Sequence, residues 1–415
     1  MTELVTTTLA QCCDIVSGAT PQTSVAEYWD GDICWATPKD LSDLDGHFIA
    51  STPRKITKAG LSSCAASVLP ANSVLFSSRA PIGHVAVNTT PMATNQGFKS
   101  FIPRSNLLEP KFLFHWLRAK RPYLESLGNG ATFKEVSKAV VARVEIALPP
   151  LPEQRRIAAI LDQADALRAK RREALAQLDS LTQSIFIEMF GTATTDQLGW
   201  PKLSLSEMAD VLTGYAFKSD EYVALGNSTV RLCRGTNVMP GRVDWQELAC
   251  WPDAGIEELS TFGLEAGDIV MAMDRPWISE GFKIARITPS DCPALLVQRV
   301  ARIRARANAL DDFLYVLLLQ PSFAQHCRPT ETTIPHISPK EIRSFEPRLP
   351  PLALQQTFAT RIQAVEALKT THRAALAESN ALFASLQHRA FAGQLSAGQR
   401  PAAFATIAPC APPTP

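Results

Sequence analysis

The chain has 415 residues, of which 46% are hydrophobic and 20% are charged. Its 41 lysines and arginines against 40 aspartates and glutamates give a net charge of +1, which argues against a histone-like or polybasic mode of nucleic-acid binding. No apolar run is long enough to span a bilayer and no apolar leader opens the sequence, so we expect a cytoplasmic protein without a membrane partner. At roughly 150 residues per domain, the length predicts two or three globular domains.

Residues 1–147 predict a first mixed α/β domain with short strands. The run 73–77 is apolar and β-prone, as expected of a buried strand, and the segment 110–121 has the pattern of a short helix. This domain contains 14 basic and 12 acidic residues, so its charge is close to neutral.

Residues 148–192 predict a first long spacer helix. From Glu153 to Phe190 the chain has no proline or glycine, and its apolar residues follow a heptad repeat. Gly191 is a plausible end for this helix, because glycine adopts the backbone conformation that terminates helices.

The second half of the chain repeats the first. The segment LPPLPEQ at 148–154 returns as LPPLALQ at 349–355, a displacement of 201 residues, and Gly18 near the start of the first half corresponds to Gly214. We therefore predict a second domain at 193–348, a second spacer helix at 349–395 and a disordered Ala- and Pro-rich tail at 396–415. The run 299–306 predicts a strand with arginines on its exposed face.

The two long helices predict an antiparallel coiled-coil pair, because each then begins near the end of the other. At 1.5 Å per residue, 38 residues form a rod about 57 Å long. The predicted fold is α+β, with two tandem mixed α/β domains separated by this helix pair and related by a pseudo-twofold axis. The alternative is that each helix packs on its own domain as a core helix. The apolar residues predicted to pack the helices or dock partners are Ile157, Ile160, Leu161, Leu167, Leu178, Leu181, Ile362, Val365, Leu368, Leu382 and Leu386.

The motifs of catalysis and metal binding are missing from the sequence. It has no phosphate-binding P-loop and no glycine-rich nucleotide loop, its nine cysteines include no C-x-x-C pair, and its seven histidines lack metal-ligand spacing. We therefore predict no catalytic residues, no metal and no cofactor bound by this chain.

Polar residues in glycine- and proline-rich turns are the best candidates for contacts with DNA. Arginine reads guanine, asparagine and glutamine read adenine, and lysine binds phosphate. In the first domain the candidates are Arg79, Pro81, Gly83, Asn95, Gln96, Lys99, Thr132 and Lys134. In the second domain they are Arg275, Trp277, Gln298, Arg299, Arg302, Arg304, Thr333 and His336.

Several motifs, in this order and duplicated, resemble those of the DNA-specificity subunits of type I restriction-modification systems. They are LPPLPEQRRIAAIL at 148–161, LTQSIFIEMFG at 181–191, LQHRAFAGQL at 386–395, IVSGATP at 15–21, RAPIG at 79–83, NQGFK at 95–99 and GWP at 199–201.

This resemblance implies a non-catalytic subunit in which each domain, as a target-recognition domain, reads half of a bipartite DNA sequence. The helix pair would serve as a ruler and a docking surface. The implied partners are double-stranded DNA and two methyltransferase subunits that methylate adenine; the presence of two restriction subunits, which would cleave DNA, is left open. S-adenosylmethionine, ATP and Mg would be bound by the partner subunits. The principal alternative is a coiled-coil scaffold that joins two modules for ligands other than DNA. A self-sufficient methyltransferase or nuclease is disfavoured by the missing motifs.

Overall fold

The computed structural model describes residues 4–44, 46–79, 81–130, 134–191, 199–327 and 335–395. The chain forms two compact units: unit 1 contains Met1–Arg171 and Ala375–Pro415, and unit 2 contains Arg172–Ala374. Each unit therefore holds a sheet-containing domain together with half of each long helix. The tail predicted to be disordered, 396–415, lies outside the described residues.

Unit 1 contains ten strands and six short helices among its described residues. The strands are β1 Val5–Thr8, β2 Cys13–Ser17, β3 Trp29–Ala36, β4 Phe48–Ile49, β5 Lys55–Ile56, β6 Val74–Phe76, β7 Val85–Asn88, β8 Ala93–Thr94, β9 Lys99–Pro103 and β10 Glu145–Leu148. The helices are α1 Leu9–Cys12, α2 Pro38–Ser42, α3 Lys58–Ser62, α4 Pro110–Ala119, α5 Arg121–Ser126 and α6 Lys138–Ala142, with a 3-10 turn at Ala26–Tyr28.

Unit 2 has a similar set of elements. Its strands are β11 Ala209–Thr213, β12 Thr229–Cys233, β13 Val238–Met239, β14 Arg242–Val243, β15 Cys250–Pro252, β16 Ile269–Ala272, β17 Trp277–Ile278, β18 Gly281–Phe282, β19 Ile284–Arg286, β20 Ala294–Leu296 and β21 Val300–Ala305. Its short helices are α8 Leu205–Met208, α9 Asp311–Leu318, α10 Pro321–His326 and α11 Pro339–Arg343, with 3-10 turns at Ser219–Glu221, Ile256–Phe262 and Pro289–Asp291. The long helices are α7 Leu151–Phe190 and α12 Leu352–Phe391.

The sheets of the two units have the same topology. The larger sheet runs β2-β9-β6-β7-β4 in unit 1 and β11-β21-β16-β19 in unit 2, with matching antiparallel pairs up to the edge strand β4. The smaller sheet runs β5-β3-β8 and β15-β12-β20, each with one antiparallel and one parallel pair. The predicted strand at 73–77 is β6, and β16 occupies the equivalent central place in unit 2. The duplication read from the sequence is thus a duplication of fold.

The two long helices run antiparallel. In the core of unit 1, Ile157 and Leu161 near the start of α7 pack in one cluster with Phe383 and Leu386 near the end of α12. In unit 2 the order is reversed, with the end of α7 packed against the start of α12. Gly191 follows α7 with φ +74°, so the predicted glycine stop is confirmed. These elements confirm the predicted α+β fold with two sheet-containing domains and a pair of long helices.

A basic residue links the two helices at equivalent places in each unit, buried in unit 2 and half-buried in unit 1. In unit 2, Lys369 Nζ lies 2.9 Å from an Asp179 carboxylate oxygen and 2.8 Å from Glu366 on its own helix. In unit 1, Arg168 Nε donates to Asn380 Oδ1 at 2.7 Å and its guanidinium lies over Phe383.

Within the described part of the chain, no helix combines the length and apolar character needed to cross a membrane.

Candidate nucleic-acid interface

Three segments of unit 1 that contain predicted DNA contacts converge at one end of strand β6. The backbone amide of Ser78 donates to the carbonyl of Gly97 at 2.7 Å, and the amide of Val136 donates to the carbonyl of Ser78 at 3.0 Å. A further bridge pairs Arg79 with Glu135. Stretches that are far apart in sequence, 77–79, 95–99 and 134–136, therefore form a single backbone-paired platform.

The charged side chains of this platform form the Arg79 cluster, which consists of Arg79, Lys99 and Glu135. Lys99 Nζ lies 3.1 Å from Glu135 Oε1, and an Arg79 guanidinium nitrogen lies 3.7 Å from Glu135 Oε2. The Lys99 side chain is 10% exposed, whereas that of Arg79 is 34% exposed. Lys99 therefore serves mainly to neutralise Glu135, and Arg79 is the cation of the cluster that can reach a ligand.

The other predicted residues of unit 1 surround this cluster. Pro81, Gln96 and Lys134 are exposed. The side-chain oxygen of Asn95 accepts a hydrogen bond from the Gly97 amide at 2.8 Å, which shapes the loop and occupies that oxygen. Gly83 is buried, so it positions the turn and presents no side chain. Thr132 lies outside the described residues.

Unit 2 repeats the platform with the same backbone hydrogen bonds. The amide of Met273 donates to the carbonyl of Arg299 at 2.9 Å, as Ser78 does to Gly97, and the amide of Ile337 donates to the carbonyl of Met273 at 2.9 Å. The bridge between Asp274 and His336 takes the place of the bridge between Arg79 and Glu135. The platform is therefore a duplicated feature, like the sheet that carries it.

The charged side chains here form the Asp274 cluster, which consists of Asp274, Arg299 and His336. Asp274 Oδ1 lies 2.6 Å from His336 Nδ1, and Asp274 Oδ2 lies 3.7 Å from Arg299 Nε. The Arg299 side chain is 60% exposed. Glu135 and Asp274 were not predicted as contact residues. The signal in the sequence is that Arg79 and Glu135 of the first repeat correspond to Asp274 and His336 of the second, so the acidic and basic positions are exchanged.

The remaining predictions for unit 2 are placed around this cluster. Arg275 and Gln298 are exposed. Trp277 is half-buried and stacks on Phe282, with ring centroids 4.6 Å apart. Thr333 lies outside the described residues.

Arg302 and Arg304 both form ion pairs, and of the two only Arg304 keeps a substantial part of its side chain exposed. Arg302 is 5% exposed, donates to the carbonyls of Thr261 and Gly263, and pairs with Asp210 at 3.2 Å. Arg304 pairs with the buried carboxylate of Asp268 at 2.6 Å. The Arg302 side chain is 7% exposed, whereas that of Arg304 is 32% exposed, close to the 34% of Arg79. Both arginines stay predictions as DNA contacts, and burial makes Arg302 the weaker candidate.

Two equivalent glycines, Gly18 and Gly214, allow the loop after the first strand of each large sheet to approach the backbone of the platform segment closely. A Cβ atom at Gly18 would lie 1.9 Å from the Asn95 carbonyl oxygen, and one at Gly214 would lie 2.2 Å from that of Val297. Because only glycine permits this approach, the repeat of Gly18 at Gly214 has a steric cause.

Arg54, which was not predicted from the sequence as a contact residue, lies over two tryptophan rings of unit 1. The guanidinium carbon of Arg54 lies 3.9 Å from the ring centroid of Trp29 and 5.1 Å from that of Trp35. The indole of Trp35 donates to the carbonyl of Ala19, in the loop that follows Gly18. Nothing in the spacing of these residues indicated that they would meet.

A second cluster of ionisable groups joins helix α4, the turn before β4 and helix α7. His115 Nε2 lies 2.7 Å from Asp162 Oδ1, and His47 Nε2 lies 2.7 Å from Asp165 Oδ2. Burial by itself raises the pKa of Asp162, but hydrogen bonds with His115 and His47 outweigh it and hold this pKa far below its usual range. Burial lowers the pKa of His47, but hydrogen bonds with Asp162 and Asp165 outweigh it and raise this pKa above its ordinary value.

Ligand atoms of His47, His115 and Asp162 lie within 4.8 Å of one another, a grouping that sequence spacing did not predict. Lys111 pairs with Asp162 at 2.9 Å and Arg118 pairs with Asp165 at 2.6 Å. These two cations already balance the two carboxylates. The cluster therefore fits an ion-pair network that fixes the domain on α7 better than it fits a metal site.

The residues predicted to pack the helices or dock partners fall into three groups by exposure. Buried within their own unit are Ile157, Leu161, Ile362, Val365 and Leu386. Half-buried are Ile160, Leu167, Leu178 and Leu382. Leu181 and Leu368 are 44% and 53% exposed, so these two are the members of the set with surface for another protein.

Comparisons with known proteins agree with this geometry. The family model described as the type I restriction modification DNA specificity domain matches residues 1–177. The type I restriction enzyme MjaIX specificity subunit of Methanocaldococcus jannaschii is 34% identical over 179 residues, which cover 43% of this chain and 41% of that subunit. The MjaVIII specificity subunit of the same organism is 27% identical over 280 residues, which cover 64% and 65%. The chain thus spans 41% and 65% of the length of these two curated relatives.

A solved structure shows that the likeness in fold extends further along the chain. The S subunit of a type I restriction-modification system from M. genitalium superposes with a TM-score of 0.53 and 13% identity, over 94% of this chain and 96% of that one. At this identity the likeness concerns the fold alone. Together with the family model and the curated relatives, it agrees with the resemblance seen in the motifs: the chain is similar to type I restriction-modification DNA-specificity subunits in sequence over residues 1–177 and in fold over most of its length.

Proposed function

We propose that this chain is the sequence-reading, non-catalytic subunit of a type I restriction-modification complex. The observation that carries the proposal is the duplicated platform, in which segments rich in DNA-reading side chains are paired by the same backbone hydrogen bonds in both units. Each platform would read one half of a bipartite target. Direct readout by a few side chains per half supplies useful discrimination, because each good bidentate pair contributes about 1–3 kcal/mol.

Two methyltransferase subunits would supply most of the affinity for DNA, and the partner subunits would carry out all of the catalysis. The net charge of +1 is small for a protein that binds many phosphates alone, which supports a division of labour with partners. S-adenosylmethionine would be bound by the methyltransferase subunits, and ATP with Mg by restriction subunits where the complex includes them. Such a complex would act on DNA in the cytoplasm and direct adenine methylation, and cleavage if restriction subunits are present.

The long helices would act as the spacer between the two half-sites. A helix of 40 residues is about 60 Å long, which corresponds to roughly 18 base pairs at about 3.4 Å each. This length accommodates two short half-sites and an unread segment between them. The exposed Leu181 and Leu368 would contribute to a docking surface for the partners.

Modified-base sequencing of DNA from cells with and without this gene tests the proposal. We expect methyladenine in a split motif only when the gene is present. Exchange of residues 200–347 with those of a relative should change one half of that motif, and exchange of residues 1–147 should change the other half. If both halves or neither half changed in such an exchange, the modular reading would be wrong.

If no methylated split motif depended on the gene, the scaffold alternative would be favoured. Failure of a methyltransferase subunit to co-purify with the chain would favour it as well. Lengthening α7 and α12 by matched insertions should change the spacer and preserve the half-sites. An unchanged spacer would contradict the ruler role of the helices.

A further inference from the structure

The two charged clusters occupy equivalent positions but have opposite polarity. The shared hydrogen bonds make Arg79 the counterpart of Asp274, and Glu135 the counterpart of His336. The position after the central strand is basic in unit 1 and acidic in unit 2. The position on the facing segment is acidic in unit 1 and basic in unit 2. In both clusters one carboxylate is held between two basic side chains.

In each cluster, one basic side chain is the less exposed and pairs closely with the carboxylate, and the other is the more exposed. In unit 1, Lys99 is buried against Glu135 and Arg79 is the more exposed cation. In unit 2, His336 is 27% exposed and bonds tightly to Asp274, while the Arg299 side chain is 60% exposed. The exposed arginine therefore comes from the end of β6 in unit 1 and from the loop before β21 in unit 2.

The backbone of unit 2 gives independent support. Among the described residues that are not glycine, four have positive φ: Asp30, Asn72, Arg275 and Arg299. Aspartate and asparagine tolerate this conformation, whereas an arginine in it is strained. Arg299 has φ +67° and Arg275 has φ +44°, and both lie beside Asp274. Strain of this kind persists mainly where function requires it.

A carboxylate beside an exposed arginine changes what the arginine can bind. It balances the guanidinium charge, which weakens the attraction to any phosphate along the backbone. It also restricts the side chain, so the free N–H groups point in a defined direction. A guanidinium presented in this way suits the two acceptors of guanine in the major groove, O6 and N7.

We propose that Arg79 and Arg299 each read a guanine, one in each half of the target, and that Glu135 and Asp274 are positioning residues that orient them. This inference rests on the proposed function and deepens it, because it assigns the readout of one base per half to a named side chain.

The test uses the chain co-expressed with the methyltransferase subunit of its own system, in a host without type I methylation. Methylation of a plasmid library with randomised half-sites is read by modified-base sequencing. Arg299→Asn removes the guanidinium but tolerates the positive φ, so folding is not the limiting factor. We expect the preference for guanine at one position of one half-site to fall by about 5- to 150-fold, with the other half-site unchanged.

Arg79→Asn should have the same effect on one position of the opposite half-site. Arg306→Asn and Arg143→Asn are matched controls, because both arginines are exposed in the same units and lie outside the clusters. Asp274→Asn should lower the same guanine preference as Arg299→Asn by a smaller factor, which a merely structural role would not do.

The outcomes separate the two levels of the proposal. If Arg299→Asn weakened methylation of all sequences equally, Arg299 would be a phosphate contact and the inference would be wrong. A wild-type motif without guanine in either half would also overturn it while leaving the proposed function in place. A wild-type complex that methylated no split motif would contradict both.

Discussion

Gln154 and Gln355 are buried at equivalent positions and make the same three hydrogen bonds. The side-chain amide of Gln154 donates to the carbonyls of Leu107 at 2.9 Å and Pro149 at 2.8 Å, and its oxygen accepts from the amide of Glu109 at 2.9 Å. Gln355 makes the corresponding bonds to residues 308, 350 and 310, at 3.2, 2.8 and 2.9 Å. Each glutamine thus ties the start of a long helix to the loop before a short helix of its domain, α4 or α9.

Replacement of either glutamine should destabilise its unit. Gln154→Leu leaves two carbonyls and one amide without their partner, so we expect a loss of about 2–4 kcal/mol in the free energy of unfolding. Gln355→Leu should cost a similar amount. Urea denaturation measures both, and Gln356→Leu, at an exposed neighbour, is the control with little expected effect. A loss of under about 0.5 kcal/mol for Gln154→Leu would show that the three bonds do not hold this junction.

The ion-pair network of unit 1 should make its stability depend on pH through His47. Because the folded pKa of His47 is raised, its contribution is fully present below the ordinary value of about 6.5 and is lost as pH rises through the raised pKa. The difference in unfolding free energy between wild type and His47→Gln should therefore be largest near about pH 6 and smaller at higher pH.

The difference between wild type and His47→Gln isolates the contribution of His47 from that of His115. Burial lowers the pKa of His115, so His115 makes the unfolding free energy rise with pH, which is the opposite trend. His388→Gln, at an exposed histidine outside the network, is the control. A difference for His47→Gln that grew with pH would contradict the assignment.

The carboxylates of the same network should govern acid stability. Burial raises the pKa of Asp165, but hydrogen bonds with His47 and Arg118 outweigh it and hold this pKa far below its ordinary value of 3.8. Its contribution is present above about pH 4 and is lost as pH falls through the lowered pKa. Asp165→Asn should therefore cost most at neutral pH and least in strong acid, as measured by denaturant unfolding across that range. An equal cost at every pH would contradict this role for the charge.

Gly18→Ala should distort the first platform. The added methyl group would overlap the Asn95 carbonyl, so we expect a cost of about 1–3 kcal/mol and a weaker preference for one half of the target. Gly235→Ala is the matched control, because a Cβ atom there meets no atom within 4 Å. Denaturation and the methylated motif are the two measurements. If Gly18→Ala behaved like Gly235→Ala in both, the close approach of the two loops would not matter for readout.

The helix face exposed in unit 2 should bind a partner without contributing to folding. Leu368→Ser changes a half-exposed side chain and should leave the unfolding free energy within about 0.5 kcal/mol, while weakening co-purification with the methyltransferase subunit. Ile362→Ala, at a residue 2% exposed, should instead cost about 2–5 kcal/mol. Unchanged co-purification of Leu368→Ser would remove this residue from the docking surface.

The sequence by itself determined the duplication, the two long helices and individual strands such as β6 and β21. Helix α7 could be predicted because 38 residues without proline or glycine, in a heptad pattern and followed by Gly191, leave few other structures. The family resemblance could be seen for a related reason: the motifs that carry it lie in the helices and tight turns, where local patterns are strict.

Only the tertiary structure decided which of the polar candidate residues are exposed. Arg302 and Arg299 are three residues apart, yet one is buried on Asp210 and the other is exposed beside Asp274. Likewise, Lys99 and Arg79 look alike in the sequence, but only Arg79 remains accessible. Exposure and ion pairing depend on strands distant in sequence, such as β6 and β9 or β16 and β21, and periodicity along one strand carries no information about the groups that cover it.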